Sequence, residues 1–334
     1  MKISVLDQTH LLKGMSAEEG FAQTVELAHY VDQLGYHRFW MSEHHSADAL
    51  AGSSPEILAS YLLGKTQNIR VGSGGVMLPH YSSYKVAENF KVMSALAPGR
   101  VDLGVGRAPG GQHLSTIALQ GERNGTVDVF PKQIDQLLEY MEDSLPYTHP
   151  LRELQATPLI KEKPEVWLLG TSNFSAILAA NKGLPYAFAQ FINNQPGDME
   201  YAIKLYKNNF KPSKYLDKPK TMVAMRVIVA DTDEEAEFIA KSAVHSKYYL
   251  DQGRISRLLP PEEALAEVTY PYEEREIAAL KDTFIIGSKD TVTRKLWYLT
   301  DELSIDEFMA VSPIYDFEKR KRSYELLKEA VKWL

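Results

Sequence analysis

The chain has 334 residues, 44% of them hydrophobic, which is enough to bury a sizeable core and excludes wholesale disorder. With 37 Lys and Arg against 44 Asp and Glu, the net charge of −7 repels nucleic acid and anionic membrane surfaces at long range. The absence of cysteine excludes disulfides, thiolate nucleophiles and cysteine-based metal sites. No run approaches the roughly 18 apolar residues of a membrane helix, and no signal-peptide stretch opens the chain, so a cytoplasmic protein is expected.

Taken in order, short apolar strands alternate with amphipathic helices. Ile3–Leu6 reads as the first strand. Ser16 and Glu19 then form a capping-box pair ahead of Phe21, Val25, Ala28 and Val31 at helical spacing, with Gly35 as the helix end. His37–Ser42 is the second strand. Ser54-Pro55 opens the next helix, serine as cap and proline at the first helical position. Ile69–Leu78 is a third strand, a helix spans about Tyr84 to Leu96, and Val101–Gly106 is a fourth strand.

A helix from about Val127 to Met141 is followed by a long loop over Tyr147–Lys163. Glu165–Leu169, Tyr186–Phe191 and Met222–Ala230 are strands five to seven, with helices near Phe174–Asn181 and Asp198–Phe210 between them. Thr232 and Glu235 make a second capping box before a helix to about Tyr249. Asp251–Gly287, with Pro260-Pro261 and Pro271, reads as irregular. Thr291–Glu302 is helical, Glu307–Val311 is the eighth strand and Phe317–Leu334 is a closing helix.

Eight strands alternating with helices imply a parallel sheet, and eight is the count that closes a barrel. The expectation is one domain over residues 1–334, a (β/α)₈ TIM barrel with an irregular insertion before the last helix–strand unit. An open doubly wound sheet is the alternative, but Asp7–Gly14 lacks the glycine-rich fingerprint such a sheet carries after its first strand.

Barrel enzymes work at the C-terminal ends of their strands. Strand two there ends in Glu43-His44-His45, strand four in Arg107, strand five in Thr171-Ser172-Asn173. Glu43, His44 and His45 could ligate a metal, which would make a metal-dependent hydrolase. However, adjacent strand residues point to opposite faces and no later His–Asp cluster completes a shell. No metal is expected, and His44 is the candidate acid/base because imidazole titrates near neutrality. Arg107 offers a planar fork suited to phosphate, or else pairs with a nearby acid. Thr171 and Ser172 at a helix start could bind an anion or simply cap the helix.

Several stretches together resemble a known family. Arg38-Phe-Trp-Met-Ser-Glu-His-His45 resembles the second-strand motif of the bacterial luciferase-like flavin monooxygenases. Ile69-Arg-Val-Gly-Ser-Gly-Gly-Val-Met-Leu-Pro79 and Ala97-Pro-Gly-Arg-Val-Asp-Leu-Gly-Val-Gly-Arg107 are similar to their third and fourth strands. Gly170-Thr-Ser-Asn-Phe-Ser-Ala176 with Gly183-Leu-Pro-Tyr-Ala-Phe-Ala189 is similar to their fifth and sixth, and the wording is closest to the single-polypeptide bacterial members.

The resemblance implies a (β/α)₈ barrel, usually dimeric, that uses reduced FMN supplied by a separate flavin reductase. Dioxygen would add to the flavin as a C4a-hydroperoxide and oxygenate a small organic substrate. By position, Arg107, Ser172 and Ser175 would hold the flavin phosphate, with Thr171 adjacent. His44 would be the acid/base, and Ser73, Gly74 and Gly75 would lie under the ring, with Gly74–Gly75 as the candidate for a cis peptide. Arg226, in strand seven, is a candidate contact for an anionic substrate. The alternatives are an F420-dependent oxidoreductase and a flavin-binding protein without turnover.

Overall fold

The computed structural model describes residues 1–121, 128–268 and 270–332. Its strands are β1 (Lys2–Asp7), β2 (Arg38–Met41), β3 (Arg70–Met77), β4 (Val101–Gly106), β5 (Glu165–Gly170), β6 (Tyr186–Ala189), β7 (Thr221–Ala230), β8 (Ile285–Ser288) and β9 (Glu307–Val311). All pairings are parallel. Each strand from β1 to β7 pairs with the next, and β9 closes the ring by pairing with both β7 and β1. The eight strands read from the sequence are the eight staves of this closed TIM barrel.

The ninth, β8, stands outside the ring. β7 pairs Met222–Arg226 with β9, then pairs Val227–Ala230 with β8. Arg226 is therefore the last residue of β7 in register with the barrel wall.

Helices α1 (Ala17–Gln33), α2 (Pro55–Leu63), α3 (Ser83–Leu96), α4 (His113–Gln120), α5 (Phe130–Glu142), α6 (Asn173–Lys182), α7 (Asp198–Asn209) and α8 (Asp233–Asp251) fill the gaps between strands. Beyond them lie α9 (Pro261–Ala266), α10 (Pro271–Lys281), α11 (Lys289–Asp301) and α12 (Phe317–Ala330). The expected helix start at Val127 and the end at Leu334 fall outside the described residues.

The Ser16–Glu19 capping box forms: the Ser16 hydroxyl accepts from the Glu19 N–H at 3.2 Å and the Glu19 carboxylate accepts from the Ser16 N–H at 2.8 Å. The second box is only half made. Thr232 caps Glu235 at 3.1 Å, but the Glu235 carboxylate turns to Lys319 at 2.7 Å. Ser54 likewise makes no side-chain cap, although Pro55 opens α2 as expected.

The segment read as irregular, Asp251–Gly287, is a correction. It holds α9, α10 and β8. Pro261 and Pro271 begin helices rather than break them, because the first helical position needs no N–H and suits the fixed φ of proline.

The barrel interior is filled in layers. At the N-terminal end Arg38, fully buried, donates to Asp102 at 2.8 Å and to Glu307 at 2.7 Å, and its guanidinium lies 4.9 Å from the Trp167 ring centre. Above this plug, Leu6, Trp40, Trp167, Met222 and Met309 form an apolar layer. Trp40 ties the layers together by donating to Asp102 at 2.9 Å. The space above the apolar layer is the site.

Candidate active site

A cavity of about 230 Å³ opens at the C-terminal ends of the strands. Its floor carries Gly74, Gly75 and Gly106, and one end carries Arg107, Thr171, Ser172 and Ser175. A second chamber of about 320 Å³ adjoins it and holds His10, His44, Arg226 and Lys247. The two share Gly74, Met77, Ala108, Phe191 and Ile192 as common wall.

The glycine floor follows from how closely β3 and β4 approach. A Cβ on Gly75 would meet Leu169 Cδ1 at 2.5 Å and the Gly104 carbonyl oxygen at 2.7 Å, and one on Gly104 would meet the Ser73 carbonyl oxygen at 2.3 Å. The β3–β4 register shifts between Gly74 and Val76, and the Gly74–Gly75 peptide is cis, as expected. The shift breaks the alternation of the strand, so both glycines reach the cavity. Ser73 does not. It is fully buried, donates to the Gly104 carbonyl at 2.8 Å and takes no part in lining the cavity, contrary to its expected place with the glycines.

At the other end, Ser172 caps α6. Ser175 completes the reciprocal box by accepting from the Ser172 N–H at 3.3 Å, while its hydroxyl donates to the Ser172 carbonyl at 2.7 Å and lies 3.1 Å from the Tyr186 hydroxyl. Gly170 makes room for this turn, since a Cβ there would lie 2.0 Å from the Ser175 hydroxyl oxygen. Arg107 sits against the same first turn, its guanidinium carbon 4.8 Å from the Phe174 ring centre. It also donates to Asp128 at 2.9 Å, with both side chains about half exposed. The two sequence readings for each group therefore coexist: Ser172 is a cap and Arg107 has an acid, yet all four residues border one cavity.

In the second chamber, Ser42 Oγ lies 2.9 Å from His44 Nδ1, which leaves Nε2 as the ring nitrogen without a partner among the described residues. Burial, with a smaller effect from His45, pushes the His44 pKa down to about 4. The ring is thus neutral at neutral pH.

Glu43 and His45 have other work. Glu43 is buried and accepts from His45 Nε2 at 2.7 Å, from the Tyr81 hydroxyl at 2.8 Å and from the Met77 N–H at 3.0 Å. This fixes the end of β3 to the loop after β2. Among the described residues, no group of three or more His, Asp and Glu side chains is arranged to hold a metal ion. Nor is any helix of the described residues long and apolar enough to cross a membrane.

Three site residues escaped the sequence reading. His10 lies just beyond β1 and was within reach of the same strand-end rule. Asp128 and Lys247 were not, because one comes from the segment before α5 and the other from the middle of α8.

A closed parallel barrel with its cavity at the strand ends defines an enzyme scaffold. The chain belongs to the luciferase-like monooxygenase family, whose model matches residues 1–304. It is 46% identical over 331 residues to the Bacillus subtilis protein YwcH, covering 99% of each chain. To the N-acetyl-S-alkylcysteine monooxygenase of the same organism it is 41% identical over 334 residues, covering 99% of this chain and 98% of that one.

Among solved structures, apo-MsnO8 superposes with a TM-score of 0.88 at 35% identity, covering 98% of this chain and 97% of that one. More distant neighbours share the fold alone. They include the oxygenating constituent of a Pseudomonas putida 3,6-diketocamphane monooxygenase in complex with FMN (TM-score 0.72, 21% identity; 99% of this chain, 98% of that one) and an F420-dependent secondary alcohol dehydrogenase (TM-score 0.69, 15% identity; 99% of each).

Proposed function

We propose that the chain is the oxygenating component of a two-component FMN-dependent monooxygenase, acting as a homodimer on a small organic substrate, O₂ and reduced FMN supplied by a separate reductase. The observation that carries this reading is the contact of Arg107 with the first turn of α6, at the end of a glycine-floored cavity that joins the His44 chamber. A cationic, hydroxyl-bearing end and a flat apolar floor suit a phosphate joined to a planar ring.

In this reading Arg107, Thr171, Ser172 and Ser175 hold the phosphate. Arg107 supplies a charged fork in exchange for Asp128, and the first N–H groups of α6 point the positive end of the helix at the anion. Gly74 and Gly75 leave a floor without side chains for the ring. Bound reduced flavin supplies the electrons that activate dioxygen. The apolar side chains of Trp40, Leu169, Phe191 and Met309 that line the cavity keep water away from that reaction. His44, neutral and held through Nδ1, presents Nε2 to give or take a proton. The 41% identity to an N-acetyl-S-alkylcysteine monooxygenase points to a substrate of similar size.

Oxygen uptake with photoreduced FMN across thioether, aldehyde, sulfonate and aromatic substrates tests the reading. Substrate-dependent oxygen use with FMN is expected. Hydride transfer from reduced F420 without oxygen use would overturn it.

A further inference from the structure

Arg226 is a buried cation with no ion-pair partner among the described residues. The residue is 7% exposed, and among the described residues no carboxylate lies within ion-pairing distance of it. Its Nη1 donates to the Phe191 carbonyl, and its guanidinium carbon lies 5.7 Å from the Phe191 ring centre and 5.2 Å from that of Phe284. These contacts fix the group and leave its Nε–Nη2 edge without a hydrogen-bond partner among the described residues.

The acids nearby are committed elsewhere. Asp251 pairs with the buried Lys247. Glu43 spends both oxygens on His45, Tyr81 and the Met77 N–H. Buried charges are ordinarily paired, because losing water without gaining a counter-ion is unfavourable. An unpaired buried arginine bordering a chamber is the arrangement expected where the counter-ion arrives with a ligand.

We propose that this counter-ion is a carboxylate of the substrate, so that the enzyme acts on small carboxylic acids with an apolar tail. The free Nε–Nη2 edge matches a carboxylate in a two-bond fork. Lys247 and Asp251 line the same chamber as an ion pair, so the charge offered to the ligand is that of Arg226. Leu50, Leu250 and Ile255 supply apolar wall for the tail, and Gly74, shared with the first cavity, puts the far end of such a molecule beside the flavin floor. His10 borders the same space. Burial and the Arg320 charge push its pKa down to about 3, so it offers hydrogen bonds rather than a second cation. The proposal rests on the monooxygenase reading for the chemistry, but the binding claim stands apart from it.

The test uses flavin-free protein and calorimetric titration with N-acetylalanine, N-acetylnorvaline and N-acetylmethionine, each against its neutral carboxamide. At least one acid should bind about 10- to 150-fold more tightly than its amide, the worth of hydrogen bonds to a charged group. Arg226→Met should abolish that preference, leave the carboxamide affinity unchanged and leave FMN affinity unchanged.

If no acid in the series binds the wild-type protein more tightly than its amide, the proposal falls, whether or not the variant folds. It also falls if Arg226→Met weakens FMN binding but keeps the acid preference, since Arg226 then serves the cofactor. Failure of FMN to bind at all overturns the flavin reading and leaves the acid preference standing, so the two failures are distinguishable.

Discussion

Arg107 reaches Asp128 across 21 positions of sequence, donating to its carboxylate at 2.9 Å while its guanidinium rests over Phe174. The pair is half exposed, so its own worth is small, about 0.2–1 kcal/mol. In the proposed reading, a phosphate at the α6 start has only this weak pair to displace.

Two opposite outcomes follow for FMN affinity. Arg107→Ala removes the fork and should weaken binding by about 1.5–3 kcal/mol, roughly 10- to 150-fold. Asp128→Asn releases the arginine and should tighten binding by no more than about fivefold, the equivalent of the ion pair it removes. Fluorescence titration with FMN and riboflavin measures both. Equal affinity of the wild-type protein for the two flavins would rule out a phosphate site at Arg107.

The plug at the base of the barrel predicts a stability effect remote from the chemistry. Arg38→Met leaves Glu307 buried without its cation and Asp102 with Arg70 alone. Breaking one partner of a buried pair costs about 3–5 kcal/mol. Urea denaturation of wild type and variant reads the difference, and equal midpoints would show that the network contributes nothing net.

The eight barrel strands were legible because each is an apolar run of strand length between helix-spaced segments. β8 was not. Ile285–Ser288 is four residues long, ends in Gly287-Ser288, and pairs only with the outer half of β7, so it carries no barrel pattern. Pro261 and Pro271 hid α9 and α10 because a proline reads alike as a breaker and as a first helical residue.

At the site, strand-end position led to His44, Arg107, Thr171 and Ser172, and the family resemblance added Ser175. Strict alternation along β3 could not tell that a register shift turns Gly74 and Gly75 to the cavity and Ser73 to the Gly104 carbonyl. Burial was invisible as well: nothing in the letters around Arg226 says that its guanidinium lacks an acid.

The floor glycine Gly75 should not tolerate a methyl group. The atoms a Cβ would meet include the Gly104 carbonyl oxygen at 2.7 Å, and backbone of a neighbouring strand cannot swing aside as a side-chain tip can. Overpacking of this kind costs about 1–3 kcal/mol. Gly75→Ala should show that loss in urea and weaker FMN binding as the floor shifts. A variant with wild-type stability and wild-type FMN affinity would mean that the strands part more easily than their geometry implies.

Acid should destabilise the protein through its buried imidazoles. Burial holds His44 and His37 at about 4, well below the ordinary 6.5. In the unfolded chain the same groups take protons from about pH 6.5 downward, while in the folded protein they do not until about pH 4. The unfolded state therefore binds more protons across that window, and stability falls as pH falls through it. The contribution is complete above about pH 6.5 and gone below about pH 4. For His44 the shift corresponds to about 3–3.5 kcal/mol at most. Melting temperature followed from pH 7 to 4 should drop, and His44→Asn should drop less over the same range. A His44→Asn profile parallel to wild type would mean that the ring is protonated freely in the folded state.

The division of labour between the two adjacent histidines gives the sharpest test of the chemistry. Among the described residues His44 keeps Nε2 without a partner at the chamber, whereas His45 gives its Nε2 to Glu43, which in turn holds Tyr81 and the Met77 N–H. If His44 moves a proton in the reaction, His44→Ala should lose about 10²- to 10⁴-fold in turnover, the usual worth of a general acid or base. Its FMN affinity should hardly change, because the proposed phosphate grip is at Arg107 and α6. His45→Ala should behave the other way. Losing one donor to the buried Glu43 carboxylate costs about 1–3 kcal/mol of stability, with turnover largely kept in the molecules that remain folded. Substrate-dependent oxygen uptake, FMN titration and thermal melting on both variants separate these outcomes. Normal turnover in His44→Ala beside a folded but inactive His45→Ala would transfer the acid/base role to His45. Normal turnover in both would place that role on neither ring, and His10, the remaining imidazole of the chamber, would be the next to replace.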